Sequence, residues 1–280
     1  SRGLGDVYKR QSLNTASDVV QLLQLTDTHL CASPGGKLLG VDTDLSLQAV
    51  IALARRERPA VDAILATGDL SDQGAESAYQ RLVDYFDGLC PQHYWLPGNH
   101  DDRSAMVRAA GEQRLPVCLE TPHWLVVMLD SQVPGDVGGE LGAEQLSRLS
   151  DCLERARNAQ QHVLVCLHHQ PVRVGCDWLD DQMVADADAL FSVLDRYQTA
   201  RGVLWGHVHQ ALDRDRKGVA LMASPSTCVQ FAPGQIDFKA DTAAPGYRWL
   251  ELHPDGRIET GISRVTDVVF DVDLESGGYL

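Results

Sequence analysis

Short apolar runs alternate along this chain with longer stretches in which apolar residues recur every three or four positions. The first run, 19–25, has the length of a buried strand. The segment after it, 44–57, places Leu45, Ala49, Ala52 and Leu53 at helical spacing. Asp42, Thr43 or Asp44 can cap that helix, and Pro59 follows its end. Further strands are predicted at 63–66, 94–96, 124–129, 163–167 and 203–205, with helices near 74–87, 142–158 and 186–197. After Gln210 the texture changes. Runs at 218–223, 246–252 and 257–264, separated by Pro-Gly and Asp-Gly breaks, read as a β-rich meander.

Strands alternating with helices imply right-handed crossovers and a largely parallel first sheet. The later β-rich stretch predicts a second sheet packed face to face with the first. One domain is expected over 18–265. Residues 1–17 are polar without periodicity and read as a disordered leader, and 266–280 read as an acidic surface tail containing Gly277-Gly278. No internal repeat or low-complexity tract interrupts this plan.

Five predicted strands run directly into polar clusters: Asp27-Thr28-His29, Gly68-Asp69, Gly98-Asn99-His100-Asp101, His168-His169 and Gly206-His207-Val208-His209. They supply carboxylates, an amide and imidazoles, which are ligands for hard or borderline divalent metals, and none contains a cysteine. Singly, each has a plainer explanation. Asp27-Thr28-His29 could be a solvated turn, Asp69 a helix cap, and the Asn99 cluster a capped helix start. Their shared position decides otherwise, because the carboxyl ends of strands in an open α/β sheet meet at one edge. Together the five predict a dinuclear metal site.

Asp27 and His29 leave the same face of an extended segment and can hold one ion. Asp69 follows a glycine that permits a tight turn, and its carboxylate can bridge two cations. Asn99 offers a carbonyl oxygen. His100 then points at the substrate, with Asp101 expected to orient its ring. His168 and His169 are adjacent on a strand and face opposite ways, so one is a ligand and the other faces the pocket or packs. The rings of His207 and His209 can serve different ions. His93, His123, His162 and His253 lack such context and read as surface or packing residues.

The chain has 280 residues, 44% hydrophobic and 22% charged, an ordinary composition for a globular protein. Its net charge of −15 argues against nonspecific binding to nucleic acid or to an anionic membrane. Two bound dications would reverse that field locally, so a phosphate ester remains compatible. No apolar stretch approaches the ~20 residues of a membrane span, and no secretory signal is evident. Seven scattered cysteines without a C-x-x-C pair suit reduced core thiols. A cytoplasmic enzyme is expected. No G-x-S-x-G elbow and no glycine-rich phosphate loop is present, which leaves metals to carry the chemistry.

In this order, D-x-H, G-D, G-N-H-D, H-H and G-H-x-H resemble the motifs of the calcineurin-like metallophosphoesterases over roughly residues 19–265. The phrases Leu25-Thr26-Asp27-Thr28-His29-Leu30 and Trp95-Leu96-Pro97-Gly98-Asn99-His100-Asp101 are similar to bacterial class III 3′,5′-cyclic-AMP phosphodiesterases. So are Leu129-Asp130-Ser131-Gln132 and Ser224-Pro225-Ser226-Thr227-Cys228-Val229-Gln230-Phe231, which contain no ligand and therefore narrow the subgroup. One departure, Gln170, bears on the pocket wall and spares the ligands.

The resemblance implies an α/β fold, a four-layer α/β/β/α sandwich of two mixed sheets flanked by helices. It also implies a ligand set. Asp27, His29, Asp69 and His209 would hold one metal, and Asp69, Asn99, His168 and His207 the other, with Asp69 bridging. His100 would be the catalytic histidine that binds no metal, acting with Asp69. Substrate contacts would fall to His29, Asp69, Asn99, His100, His169 and His209. The implied reaction is hydrolysis of 3′,5′-cyclic AMP to 5′-AMP by a hydroxide bridging two ions ~3.5–4 Å apart. Fe and/or Mn suit the mixed donor set, with Zn or Co as alternatives. A phosphodiesterase of broader specificity would share this core, whereas a non-catalytic scaffold would lack some of these residues. The expected partner is a small cyclic nucleotide, with no nucleic acid or membrane, and the protein a monomer or homodimer.

Overall fold

The computed structural model of the chain describes residues 10–278. Its first half runs β1 (Arg10–Ser12), β2 (Val20–Leu25), the ribbon β3 (Lys37–Leu38) and β4 (Val41–Asp42), α1 (Thr43–Glu57), β5 (Ala63–Thr67), α2 (Glu76–Asp87), β6 (His93–Leu96) and α3 (Arg103–Ala110). Then follow β7 (Cys118–Glu120), β8 (Trp124–Met128), α4 (Gly142–Ala159), β9 (His162–Cys166), α5 (Asp177–Asp180), α6 (Ala187–Leu194) and β10 (Ala200–Trp205). The chain continues through β11 (Leu212–Arg216), β12 (Val219–Ala223), the ribbon β13 (Gln230–Phe231) and β14 (Ala240–Asp241), β15 (Gly246–Leu252) and β16 (Ile258–Arg264).

A five-stranded sheet has the order β16-β15-β2-β5-β6, and a seven-stranded sheet the order β1-β7-β8-β9-β10-β12-β11. Both are mixed. β2, β5 and β6 run parallel in one, and β8, β9, β10 and β12 in the other. Side-chain alternation along these strands builds the layers. Leu23, Leu25, Ile64 and Ala66 face α1 and α2, packing on Leu47, Val50 and Leu82. Leu125, Val127, Val163 and Val165 face α4 and α6, meeting Leu149, Leu153 and Leu190. The intervening positions, including Leu22, Leu65, Trp124, Val126, Leu164 and Leu204, fill the space between the sheets. Strands buried on both faces read as continuous apolar runs, which is why the sequence reveals them. Leu65 is fully buried there, so Leu65→Ala would cost about 2–5 kcal/mol. This is the expected four-layer α/β/β/α sandwich.

Some expectations need correction. The β-rich meander does not form the second sheet. β11 and β12 extend that sheet, while β15 returns to pair antiparallel with β2 and covers what would be an open edge. Within the stretch expected to be a disordered leader, β1 pairs parallel with β7 and Leu13 is buried. Residues 1–9 of that stretch lie outside the described residues. The buried face of α1 consists of Leu47, Val50, Ile51 and Ala54, whereas Leu45 is 62% exposed. Asp42 is its cap, accepting the Leu45 N–H at 2.9 Å. Among the described residues no helix is long and apolar enough to cross a membrane, and the seven cysteines are free.

Candidate metal centre

All five clusters lie at the carboxyl ends of parallel strands: β2, β5 and β6 of one sheet, β9 and β10 of the other. Backbone bonds tie these ends together. Asp27 N–H donates to Gly68 O at 3.0 Å, His29 N–H to Asp69 O at 2.9 Å, and Gly206 N–H to His168 O at 3.1 Å. His207 N–H crosses between sheets to the Asp27 carboxylate at 3.0 Å. Close approach of the loops requires glycine. A Cβ on Gly98 would fall on the Asp69 carboxylate and stand 2.7 Å from His168 Nε2. Asp27, His29, Asp69, His207 and His209 all adopt left-handed backbone, with φ of 54°, 44°, 49°, 63° and 49°. Few non-glycine residues do so, and such conformations gather at functional sites.

Second partners fix which ring nitrogen faces inward. His168 donates from Nδ1 to Thr67 O at 2.8 Å, leaving Nε2 3.2 Å from both Asp69 Oδ2 and Asn99 Oδ1. His209 donates from Nδ1 to Val229 O at 2.7 Å, and its Nε2 lies 3.3 Å from Asp27 Oδ1 and from His29 Nε2. His207 is reversed. Its Nε2 bonds Gln182 Oε1 at 3.0 Å, and its buried Nδ1 has no hydrogen-bond partner among the described residues. His29 Nε2 stands 3.8 Å from Asp69 Oδ2. Donor atoms of Asp27, His29 and His209 lie within 4.8 Å of one another, as do those of Asp27, Asp69 and His168, and those of His168, His169 and His207.

Electrostatics agree with a cation site. Burial resists ionisation of Asp69, but the neighbouring His168 and His100 outweigh it and hold the carboxyl well below its usual range. Asp27 is likewise depressed, burial being overcome chiefly by His209. Burial would depress His168, yet the Asp69 carboxylate lifts it to about 9. Burial together with the adjacent His169 and His168 keeps His207 well below its ordinary value, in the neutral form that ligates metal. Two buried carboxylates, one amide oxygen and four imidazoles, with His207 Nδ1 unpartnered, fit two divalent cations sharing Asp69.

Every site residue expected from sequence falls in this cluster. His169 sits beside His168 and His207, with ring centroids at 4.8 and 4.7 Å, and its Nδ1 bonds Ser131 Oγ at 2.8 Å. His100 lies at the rim, 4.9 Å from the His29 ring. The expected partner of His100 is wrong. Its Nδ1 bonds the Asp72 carbonyl at 2.9 Å, while the Asp101 carboxylate accepts backbone N–H groups of Leu70, Ser71 and Gly98. Asp72 also brings Oδ1 to 3.6 Å from His29 Nδ1, so it touches both rings. Sequence reasoning passed over Asp72, although it stands three residues beyond Asp69. Ser131 and Gln182, which hold His169 and His207, were missed too. Ser131 lies inside one of the phrases that narrowed the subgroup.

A family model described as calcineurin-like phosphoesterase matches residues 20–211. The chain is 48% identical over 272 residues to the 3′,5′-cyclic adenosine monophosphate phosphodiesterase CpdA of Pseudomonas aeruginosa, spanning 96% of the chain and 99% of that protein. It is 42% identical over 263 residues to the protein of the same name from Escherichia coli K12, covering 93% and 95% of the two. Among solved structures, a dimetal phosphatase from Danio rerio superposes with a TM-score of 0.60 at 16% identity, covering 88% of this chain and 99% of that one. The last likeness concerns the fold alone.

Proposed function

The chain belongs to the calcineurin-like phosphoesterases, and from that premise we propose that it hydrolyses 3′,5′-cyclic AMP to 5′-AMP at a dinuclear metal centre. The observation that carries the reading is the convergence of Asp27, His29, Asn99, His168, His207 and His209 around Asp69. Asp27, His29 and His209 would hold one cation, and Asn99, His168 and His207 the other, with Asp69 between them. Such a pair supplies an activated water and neutralises phosphoryl oxygens. Fe or Mn suits the mixed donor set, and Zn or Co is compatible with it.

The remaining chemistry belongs to side chains. The Asp72 carbonyl can only accept, so His100 keeps a proton on Nδ1 and leaves its Nε2, a buried atom, to serve the substrate. Protonated there, His100 gives a proton to the ribose 3′-oxygen as the bond from phosphorus to that oxygen breaks. The attacking water forms the new phosphorus–oxygen bond and loses a proton to solvent, from which His100 recovers the one it gave up. His169, held by Ser131, presents its other nitrogen toward the substrate phosphate. Asp69 keeps the two halves of the site in register. The reading places the enzyme in the cytoplasm, where its free thiols persist, acting on a diffusible nucleotide as a monomer or homodimer.

Comparing turnover of cyclic AMP, cyclic GMP and a synthetic aryl phosphodiester in one Mn-loaded preparation tests the proposal. Cyclic AMP is expected to be cleaved most efficiently. Fast cleavage of the aryl diester with negligible turnover of cyclic AMP would replace this reading with a broader phosphodiesterase.

A further inference from the structure

A cavity of about 260 Å³ opens on the centre, and the far part of its wall has no part in the proposed chemistry. It runs from Asn99 and His207 past Gln182 to Val137, Trp178 and Phe238. This volume is close to the lower end of small-molecule sites, about 300–1,000 Å³. Among the described residues no Asp, Glu, Lys or Arg lines it, so the part of a ligand lying there is neutral. The phosphate belongs at the Asn99 and His207 end, and the far end is aromatic.

Trp178 and Phe238 meet edge to face, with centroids 5.2 Å apart and planes at 66°, and so form a corner. Backbone bonds pin it. Asp177 N–H donates to Gln235 O at 2.9 Å and Trp178 N–H to Ile236 O at 3.2 Å, clamping α5 against the loop that carries Phe238. Phe231 supports both rings from behind at 5.1 and 5.5 Å and stacks on His209 at 4.0 Å. The corner is thereby braced on a metal-ligand imidazole. A planar base placed in it lies face-on to one ring and edge-on to the other, the two arrangements aromatic systems favour.

We propose that Trp178 and Phe238 form the nucleobase subsite, holding the purine while the cyclic phosphate reaches the centre. This rests on the reading of the enzyme as a cyclic-nucleotide phosphodiesterase. Native chain, Trp178→Leu, Phe238→Leu and Trp178→Phe, all Mn-loaded, are assayed with cyclic AMP and with the abasic ribose 3′,5′-cyclic phosphate. For the two Leu variants KM for cyclic AMP is expected to rise roughly 10- to 100-fold, as loss of a base-stacking ring predicts. Their kcat/KM for the abasic substrate stays at the native value, and Trp178→Phe recovers most of the loss.

Equilibrium dialysis gives a second readout that needs no turnover. Binding of 5′-AMP weakens by the same factor in the Leu variants, while binding of ribose 5-phosphate does not change. Equal losses on cyclic AMP and the abasic substrate, or undiminished 5′-AMP binding, would overturn the subsite. A native chain that cleaved neither cyclic phosphate would overturn the proposed reaction, and dialysis would still decide the subsite.

Discussion

The Nε2 atoms of His29 and His209 face each other at 3.3 Å, although 180 residues separate them in sequence. His209 donates its Nδ1–H to Val229 O, which turns its Nε2 inward, 3.3 Å from the Asp27 carboxylate. Buried carboxylates and imidazoles converging in this way are preformed for a cation, whose binding then adds to the stability of the fold. Chelation is therefore expected to lower the thermal midpoint by about 5–10 °C, as loss of a ligand held at ~100-fold its Kd predicts for a chain of this size. Calorimetry before and after Mn is restored measures it, and an unchanged midpoint would contradict the fit.

Asp69 reaches His168 Nε2 at 3.2 Å and His29 Nε2 at 3.8 Å, contacting both halves of the centre. Asp69→Ala is expected to strip metal from the protein and to remove activity, by more than the ~10- to 100-fold typical of losing an outer partner. Elemental analysis of the purified variant decides the point. Two ions retained per chain would rule out a bridge.

His100→Ala removes a proton donor and leaves the proposed ligands intact. Its kcat on cyclic AMP should fall about 10²- to 10⁴-fold at unchanged metal content. An aryl diester whose leaving group needs no proton should suffer much less. Similar losses on both substrates would mean that His100 has another role.

Tyr79 donates its hydroxyl to Asp101 Oδ1 at 2.8 Å and accepts Asp102 N–H at 3.0 Å. Through Asp101 it braces the turns that carry Asp69 and Asn99. Tyr79→Phe should cost about 1–3 kcal/mol in urea unfolding, since it leaves a buried carboxylate short of a donor. Weaker Mn binding should accompany that loss, and the two are read together by titrating the unfolding midpoint with Mn.

His93 is buried with Trp95 stacked on its ring, and Trp95 Nε1–H donates to its Nδ1 at 2.8 Å. That bond needs a neutral imidazole. Burial, aided by the Arg114 charge, pushes its pKa down from 6.5 to about 4. Between those values the unfolded chain takes up a proton that the folded chain refuses, so stability present above 6.5 is lost as pH falls toward 4. His93→Gln should flatten this part of the stability profile in chelated protein. Denaturant midpoints at several pH values would show an unaltered slope if His93 were not responsible.

The centre was legible in sequence because each ligand cluster follows a strand buried on both faces, whose unbroken apolar run is the plainest signal a chain can carry. Arg10–Ser12 gave no such signal, being a polar edge strand of three residues. The pairing of β15 with β2 was hidden for a different reason. Nothing local in 246–252 says which distant edge it will cover. Asp101 was assigned to the His100 ring because the two are adjacent, but spacing alone cannot tell whether a carboxylate meets an imidazole or backbone N–H groups. Gln182 and Ser131 lie on loops, and only the folded chain brings them to His207 and His169.

The left-handed backbone at Asp27, His29, Asp69, His207 and His209 bears on any attempt to move this centre elsewhere. Copying the seven side chains onto another sandwich would transfer the donors without the kinks that aim them, each kink costing roughly 1–3 kcal/mol that the surrounding core must offset. A transplant would need the glycine-flanked bends and the two sheet edges that brace them. Without these, the imported residues would relax outward and scatter the ions they were meant to gather.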